Sequence, residues 1–124
     1  MLLDSNIIIY AFQPEYANIK QLLEKDCFSA SAITKLEVMG YWRLSDTAYN
    51  RFELFFGELN IFPVSNDVIS LAISLRLKRS MGLADAIIAA TALIHQISLV
   101  THNTQDFQRI EGLKLIDPLK KSAS

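Results

Sequence analysis

The chain predicts an α/β fold: a mostly parallel sheet with helices over both faces. Short apolar runs alternate with longer segments of helical periodicity along its whole length. The short runs are continuously apolar, as strands are when helices cover both sides. Cap- and turn-forming residues, Asp4-Ser5-Asn6 and Ser65-Asn66 among them, mark the changes between the two patterns. A chain of 124 residues that is 51% hydrophobic is enough for one domain with a real core. The domain is read as residues 1–119, and 120–124 (Lys-Lys-Ser-Ala-Ser) as a disordered tail.

In chain order, Met1-Leu2-Leu3 reads as a buried strand and Ile7 to Phe12 as a short helix despite its β-branching. Pro14 opens a second helix, run to Lys25. Cys27-Phe28-Ser29-Ala30 reads as a second strand, with Cys27 buried in it. Ser31 to Trp42 is a helix with Gly40 near its end. Asp46 is placed as the cap of a helix through Leu59. Ile61 to Val64 is a third strand, and Asp67 to Arg79 a helix with Val68, Leu71, Ala72, Leu75 and Leu77 on its apolar positions. The stretch Gly82-Leu83-Ala84-Asp85-Ala86-Ile87-Ile88-Ala89-Ala90-Thr91-Ala92-Leu93 is Ala-rich and apolar at every helical spacing, a helix buried on most sides. Ile97 to Thr101 and Leu113 to Ile116 are the fourth and fifth strands.

The formal net charge of −1 offers no global basic field to attract a polyanion, so such a partner must be held by a local patch or through a metal. One cysteine excludes an internal disulfide framework. An Asp at position 4 and the absence of a basic leader argue against a signal peptide. Asp85, His95 and Gln96 interrupt the apolar stretch from Leu83 to Val100, so no membrane span and no membrane partner are expected. A soluble, cytoplasmic protein is the expectation.

The acids fall in a pattern. Asp4 follows the first strand, Glu37 lies in the helix after the second, and Asp106 follows the fourth. Asp85 opens the helix that leads into the fourth strand. In an open parallel sheet the C-terminal strand ends share one edge, where ligands bind. Four carboxylates from distant parts of the chain are therefore expected to converge. Each also has a structural reading: Asp4 as a cap, Thr34-Lys35-Leu36-Glu37 as a capping box, Asp85 as a first-turn acid favoured by the helix dipole, and Asp106 in a short helix capped by Thr104. A cluster is costly, because two carboxylates about 4 Å apart repel by about 4 kcal/mol at an effective dielectric near ~20. Protonation or a bound cation relieves that cost. Hard oxygen donors without Cys or a clear His suit Mg²⁺ or Mn²⁺ rather than zinc.

Four segments carry a family resemblance: Leu3-Asp4-Ser5-Asn6, Ser31 to Gly40, Ala84 to Ala92, and Thr101-His102-Asn103-Thr104-Gln105-Asp106-Phe107. Together and in this order they resemble the four motifs of PIN-domain ribonucleases, above all the VapC-type toxins of bacterial toxin–antitoxin pairs. The resemblance implies a PIN-like three-layer α/β/α fold with four to five strands. It implies a Mg²⁺- or Mn²⁺-dependent endoribonuclease that leaves 5′-phosphate and 3′-hydroxyl ends. Asp4, Glu37 and Asp85 then hold metal and catalyse. Relatives place the fourth acid where Asn103 or Asp106 stands here, and Asp106 is preferred because Asn103 brings no charge. Ser5 stands where many relatives have Thr. Asn6, Thr101 and Asn103 are read as orienting the carboxylates or a metal-bound water, with ordinary turn hydrogen bonding as the alternative.

Arg76, Lys78 and Arg79 form a basic cluster just before the Asp85 helix, either gripping RNA phosphates or forming a solvated helix end. His95 is read as structural or at an exposed helix end, and His102 as off the substrate. Tyr41, Trp42, Tyr49, Phe52, Phe55, Phe56 and Phe62 hold most of the aromatic residues. Phe52, Phe55, Phe56 and Leu59 share helical spacing toward the sheet, and Trp42 and Tyr49 are left for the surface. The resemblance implies a homodimer and a cognate antitoxin as partners. A haloacid-dehalogenase-type phosphatase needs a second Asp where Asn6 stands, and a receiver domain needs an Asp at the end of the third strand, where Ile61 to Asn66 offers none. The remaining alternative is a non-catalytic PIN-like module that binds protein or RNA.

Overall fold

A computed structural model describes residues 1–25 and 27–119. The expected tail from Lys120 lies outside the described residues. Five short strands form one sheet: β1 (Leu2–Leu3), β2 (Ser29–Ser31), β3 (Asn60–Phe62), β4 (Leu99–Val100) and β5 (Leu115–Ile116). Every pairing is parallel, in the order β3-β2-β1-β4-β5. The helices are α1 (Ser5–Ala11), α2 (Ala17–Lys25), α3 (Ala32–Met39), α4 (Asp46–Gly57), α5 (Asn66–Lys78), α6 (Leu83–His95) and α7 (Thr104–Phe107). No helix among the described residues is long and apolar enough to cross a membrane.

The period of two along the strands divides the core between the faces of the sheet. Leu2 and Leu99 turn to one face, where α5 and α6 supply Val68, Ala72, Leu75 and the alanines 86, 89, 90 and 92. Leu3 and Val100 turn to the other, packed with Ile7, Ile8, Ile19, Phe28, Phe52 and Phe56 from around α1, α2 and α4. The result is the expected three-layer α/β/α arrangement, with the all-apolar central strand buried completely.

Strand order also places the site. The chain builds outward from β1 to β2 and β3, then returns through α5 and α6 to lay β4 on the opposite side of β1. The direction of winding reverses between β1 and β4. Crevices beyond the carboxyl ends of the strands open at such a switch point. The residues leaving those two strands are Asp4 and Thr101.

Several local expectations are corrected. The helix read from Pro14 begins as a 3-10 turn over Pro14–Tyr16 before α2. The second strand lies later than read, and Cys27 is exposed and precedes it. The helix read to Trp42 ends at Met39: Gly40 still donates the last helical bond, to Leu36 O at 2.8 Å, but its ψ of 8° turns the chain out of the helix. A Cβ at Gly40 would stand 2.5 Å from that same oxygen. Ser45, not Asp46, caps α4, accepting from the Ala48 N–H at 3.1 Å. Ser31 caps α3, so Thr34 and Glu37 form no capping box. Asn103, not Thr104, holds the cap position of α7. Trp42 and Tyr49 are exposed, while Phe52 and Phe56 are buried on the sheet.

Candidate active site

Asp4 is the most enclosed of the acids, 5% exposed. Its Oδ1 accepts the Ser5 N–H at 2.8 Å, which caps α1. Its Oδ2 accepts the Thr101 hydroxyl at 2.7 Å, across the junction of β1 and β4. Thr101 is itself buried, and its Oγ1 accepts the Asn103 N–H at 3.0 Å. Burial pushes the Asp4 carboxyl above its ordinary value, against the two hydrogen bonds that favour its charge. Asp4 thus has both readings at once, a helix cap and a carboxylate fixed at the switch point.

The other acids come in from separate elements. Glu37 projects from α3, and its Oε1 accepts the Ser5 hydroxyl at 2.7 Å. Ser5 therefore joins the first and second acids, a role its sequence position beside Asp4 permits but does not announce. Asp106 lies on α7 and accepts the Asn103 side-chain amide at 2.6 Å. Asn103 and Asp106 are therefore partners at this corner, Asn103 as donor and Asp106 as the charge.

Asp85 lies in the first turn of α6, half-buried. Its carboxyl is pushed up to about 6, first by burial and then by the charges of Asp4, Asp106 and Glu37. Three acids that are distant in sequence act on it through space, despite the favourable helix N-terminus. The four carboxylates thus lie close enough for Asp4, Asp106 and Glu37 to act on Asp85 through space. Among the described residues, however, no three His, Cys, Asp or Glu side chains form a ready-made metal cage. The donor set nonetheless fits a hard, hydrated cation. Every donor is oxygen, and Mg²⁺ keeps several of its waters while taking one or two carboxylates from the protein.

The remaining predicted residues fall in several places. Asn6 is exposed in the first turn of α1 and takes no part in the hydrogen bonds that tie the acids together. Lys78 and Arg79 line a cleft that also contains Asp106. Arg76 does not line that cleft and donates from Nε to Met81 O at 3.1 Å. Arg109 lines the same cleft and went unnoticed in the sequence, because it follows α7 in a turn with no periodic signal. Its spacing of three from Asp106 is the one cue. His95 stacks on Phe62 at 3.9 Å, about 15 Å along α6 from Asp85. His102 pairs with Asp117 at 3.1 Å instead of facing the acids.

Comparison with known proteins agrees with this architecture. The PIN domain family model matches residues 1–113. Ribonuclease VapC1 of Rickettsia felis is 49% identical over 37 residues, a stretch that spans 30% of this chain and only 28% of that relative. A chain of a toxin–antitoxin complex from Klebsiella pneumoniae superposes with a TM-score of 0.81 at 34% identity, over 97% of this chain and 98% of that one. A chain of VapBC2 from Rickettsia felis, solved bound to a DNA fragment from its promoter, superposes with a TM-score of 0.77 at 25% identity, over 93% and 96% of the two chains. With its motifs in order, its strands wound about a switch point and its acids gathered there, the chain belongs to the PIN domain family.

Proposed function

We propose that this protein is a metal-dependent endoribonuclease that hydrolyses RNA phosphodiester bonds, and that it is the toxin of a toxin–antitoxin pair acting in the cytoplasm. The observation that carries the reading is the gathering of acids from α1's cap, α3 and α7 about Asp85, whose carboxyl is raised to about 6 by burial and by their charges. A folded chain retains such a cluster at a cost, and a divalent cation offsets it. Perturbed carboxylates gathered in a crevice also mark catalytic sites in general.

Asp4 and Asp85 would hold Mg²⁺ or Mn²⁺, with Glu37 and Asp106 completing the acidic wall. When bound, the ion lowers the pKa of a water and offsets charge on the phosphate. The rest is the work of the chain. Thr101 and the Ser5 N–H fix both oxygens of Asp4, so its orientation is set before any ligand arrives. The Ser5 hydroxyl does the same for one oxygen of Glu37. Asn103 holds one oxygen of Asp106. A carboxylate not committed to the ion would take the proton of the attacking water.

The test is cleavage of RNA with Mg²⁺ by the wild-type chain and by Asp4→Asn and Asp85→Asn. Each substitution keeps the shape and removes the charge, and a loss of at least a hundredfold is expected. Unchanged cleavage in both variants would end the reading. The toxin assignment is supported by the Klebsiella pneumoniae and Rickettsia felis complexes, and it predicts that a cognate antitoxin, co-expressed, suppresses cleavage. A homodimer is part of the same proposal. Ile69, Ile73 and Leu77, four residues apart on α5, leave an exposed apolar stripe in support of a partner. Light scattering that gives a monomer at micromolar concentration would count against it.

A further inference from the structure

We infer that the cleft between the end of α5 and α7 is an RNA backbone subsite, in which Lys78, Arg79 and Arg109 hold the phosphate next to the one being cleaved. The inference rests on the nuclease reading above and adds to it a place and a direction for the substrate.

The cleft measures about 630 Å³, within the ~300–1,000 Å³ range of small-ligand clefts. Its walls come from two segments that each run into the acidic centre. Lys78 and Arg79 end α5, six residues before Asp85 at the nearer of the two. Arg109 follows Asp106 by three, and Asp106 itself forms part of the wall. The bases therefore adjoin the acidic centre through Asp106, which the cleft shares with it.

Their charge is unspent. Among the described residues no Lys or Arg has a carboxylate at salt-bridge distance, so the three bases are unpaired with acids, Asp106 included. Arg79 goes further. Its Nε and Nη1 are covered by protein and make no hydrogen bond among the described residues. Buried guanidinium N–H groups are ordinarily paired. An anion entering the cleft gives them a partner after a small outward shift of the side chain. Arg presents a planar fork that matches the oxygens of a phosphate. Gln105 and Ser80, in the same wall, add neutral donors and acceptors.

The occupant follows from continuity. If one phosphodiester reacts at the acids, its covalently linked neighbour must lie within a nucleotide's reach. The cleft that shares Asp106 with the acids is the place where that neighbour meets cations rather than carboxylates. An acidic peptide gains less, because nothing ties its carboxylates to the reacting centre. The geometry also separates the basic cluster seen in the sequence. Lys78 and Arg79 belong to the subsite, Arg109 joins them, and Arg76 is held against Met81 O.

The experiment measures binding of a labelled single-stranded RNA by Asp85→Asn protein over a salt series, with and without Arg109→Gln. Arg109 is exposed, so its replacement leaves the fold intact. The expected result is affinity lower by about five- to tenfold, with a slope of log K against log salt shallower by roughly 0.7, the share of one single-strand phosphate contact. Lys78→Gln should act in the same way, and Arg43→Gln, on the α3–α4 turn over Trp42, should change neither quantity. In otherwise wild-type protein, Arg109→Gln should raise KM and spare kcat. Affinity and slope unchanged by both cleft variants, while the wild type still cleaves RNA, would overturn the subsite alone. No cleavage by the wild type would overturn the nuclease reading first. If Arg109→Gln lost affinity for a polyglutamate peptide but kept it for RNA, the cleft would belong to an acidic protein partner and the proposal would be wrong.

Discussion

The two faces of the sheet are filled by different means. Against Leu2 and Leu99 stands α6, whose buried positions are mostly alanine. Against Leu3 and Val100 stand Phe28, Phe52 and Phe56, with Phe12 set edge-on to Phe52 at 4.8 Å and to Phe55 at 5.3 Å between ring centres. Both solutions exclude water, but they allow different separations. Small side chains let a helix approach its neighbours to the short end of the ~8–10 Å range, and aromatic rings hold it off. The face that must bring a carboxylate to the switch point is the small one, since α6 carries Asp85 in its first turn. The aromatic face contributes its acids through a cap and through α3, and α4 contributes none to the site. Close approach positions chemistry, whereas bulk supplies stability.

Substitutions that act on one face at a time break this comparison open. Phe56 is 2% exposed. Phe56→Ala should lose about 3–5 kcal/mol in urea denaturation, while RNA cleavage per folded molecule stays near wild type. A large loss of specific activity in protein that is still folded would show that the aromatic face positions the site after all.

Thr101→Val acts where the two faces meet. It removes the hydroxyl that Asp4 Oδ2 accepts and leaves a buried carboxylate with one donor fewer. A hydrogen bond to a charged group contributes about 1.5–3 kcal/mol. The loss should be largest at pH 8 and shrink toward pH 4, because a carboxyl that is pushed further up penalises only the ionised form. Thr101→Ser keeps the hydroxyl and should restore most of the difference.

Ala89→Leu should cost less, about 1–3 kcal/mol of overpacking. Ala89 is fully buried in α6. Here the two readouts should part in the opposite sense from Phe56→Ala. If the extra carbons push α6 outward, Asp85 moves with it, and a misplacement of about 1 Å can cost on the order of a hundredfold in rate. A modest stability loss with a large loss of cleavage is the expected signature of the positioning face. Equal specific activity in the two variants would dissolve the distinction between the faces.

What the sequence could disclose follows the same division. Covered strands and a nearly all-apolar helix leave strong local patterns, so the α/β class, the five strands and the burial of α6 could all be read from residue types. Boundaries decided by single hydrogen bonds could not. Cys27-Phe28 looks like the start of a strand because both residues are apolar, yet pairing begins at Ser29. Thr34 to Glu37 matches a capping box, but Ser31 had already closed the helix. The acids stood out by their places after strands. Their couplings did not, because Ser5 with Glu37 and Thr101 with Asp4 are separated by 32 and 97 residues. The basic cleft was half visible, since Lys78 and Arg79 are adjacent in sequence while Arg109 reaches them only through the fold.

The smallest effect tests the cost of burying Asp85 beside the other acids. Asp85 has its carboxyl raised to about 6, and that of Asp4 is also raised. Between the ordinary carboxylate value near 3.8 and about 6, the folded chain keeps a proton on Asp85 that the unfolded chain has released. Stability of the metal-free protein must therefore fall as pH rises through that window, and stay reduced above it. Asp85→Asn removes this contribution, so without metal it should melt a few degrees above the wild type at pH 8 and level with it near pH 4. Adding Mg²⁺ at pH 8 should raise the melting temperature of the wild type, because the ion binds the folded acids and not the unfolded chain. The same addition should do less for Asp85→Asn, whose site lacks one charge. Were Asp85→Asn no more stable than the wild type at pH 8, burial and the neighbouring charges together would cost too little to call for a cation. The small alanine face would then bring Asp85 close to Asp4 for packing alone.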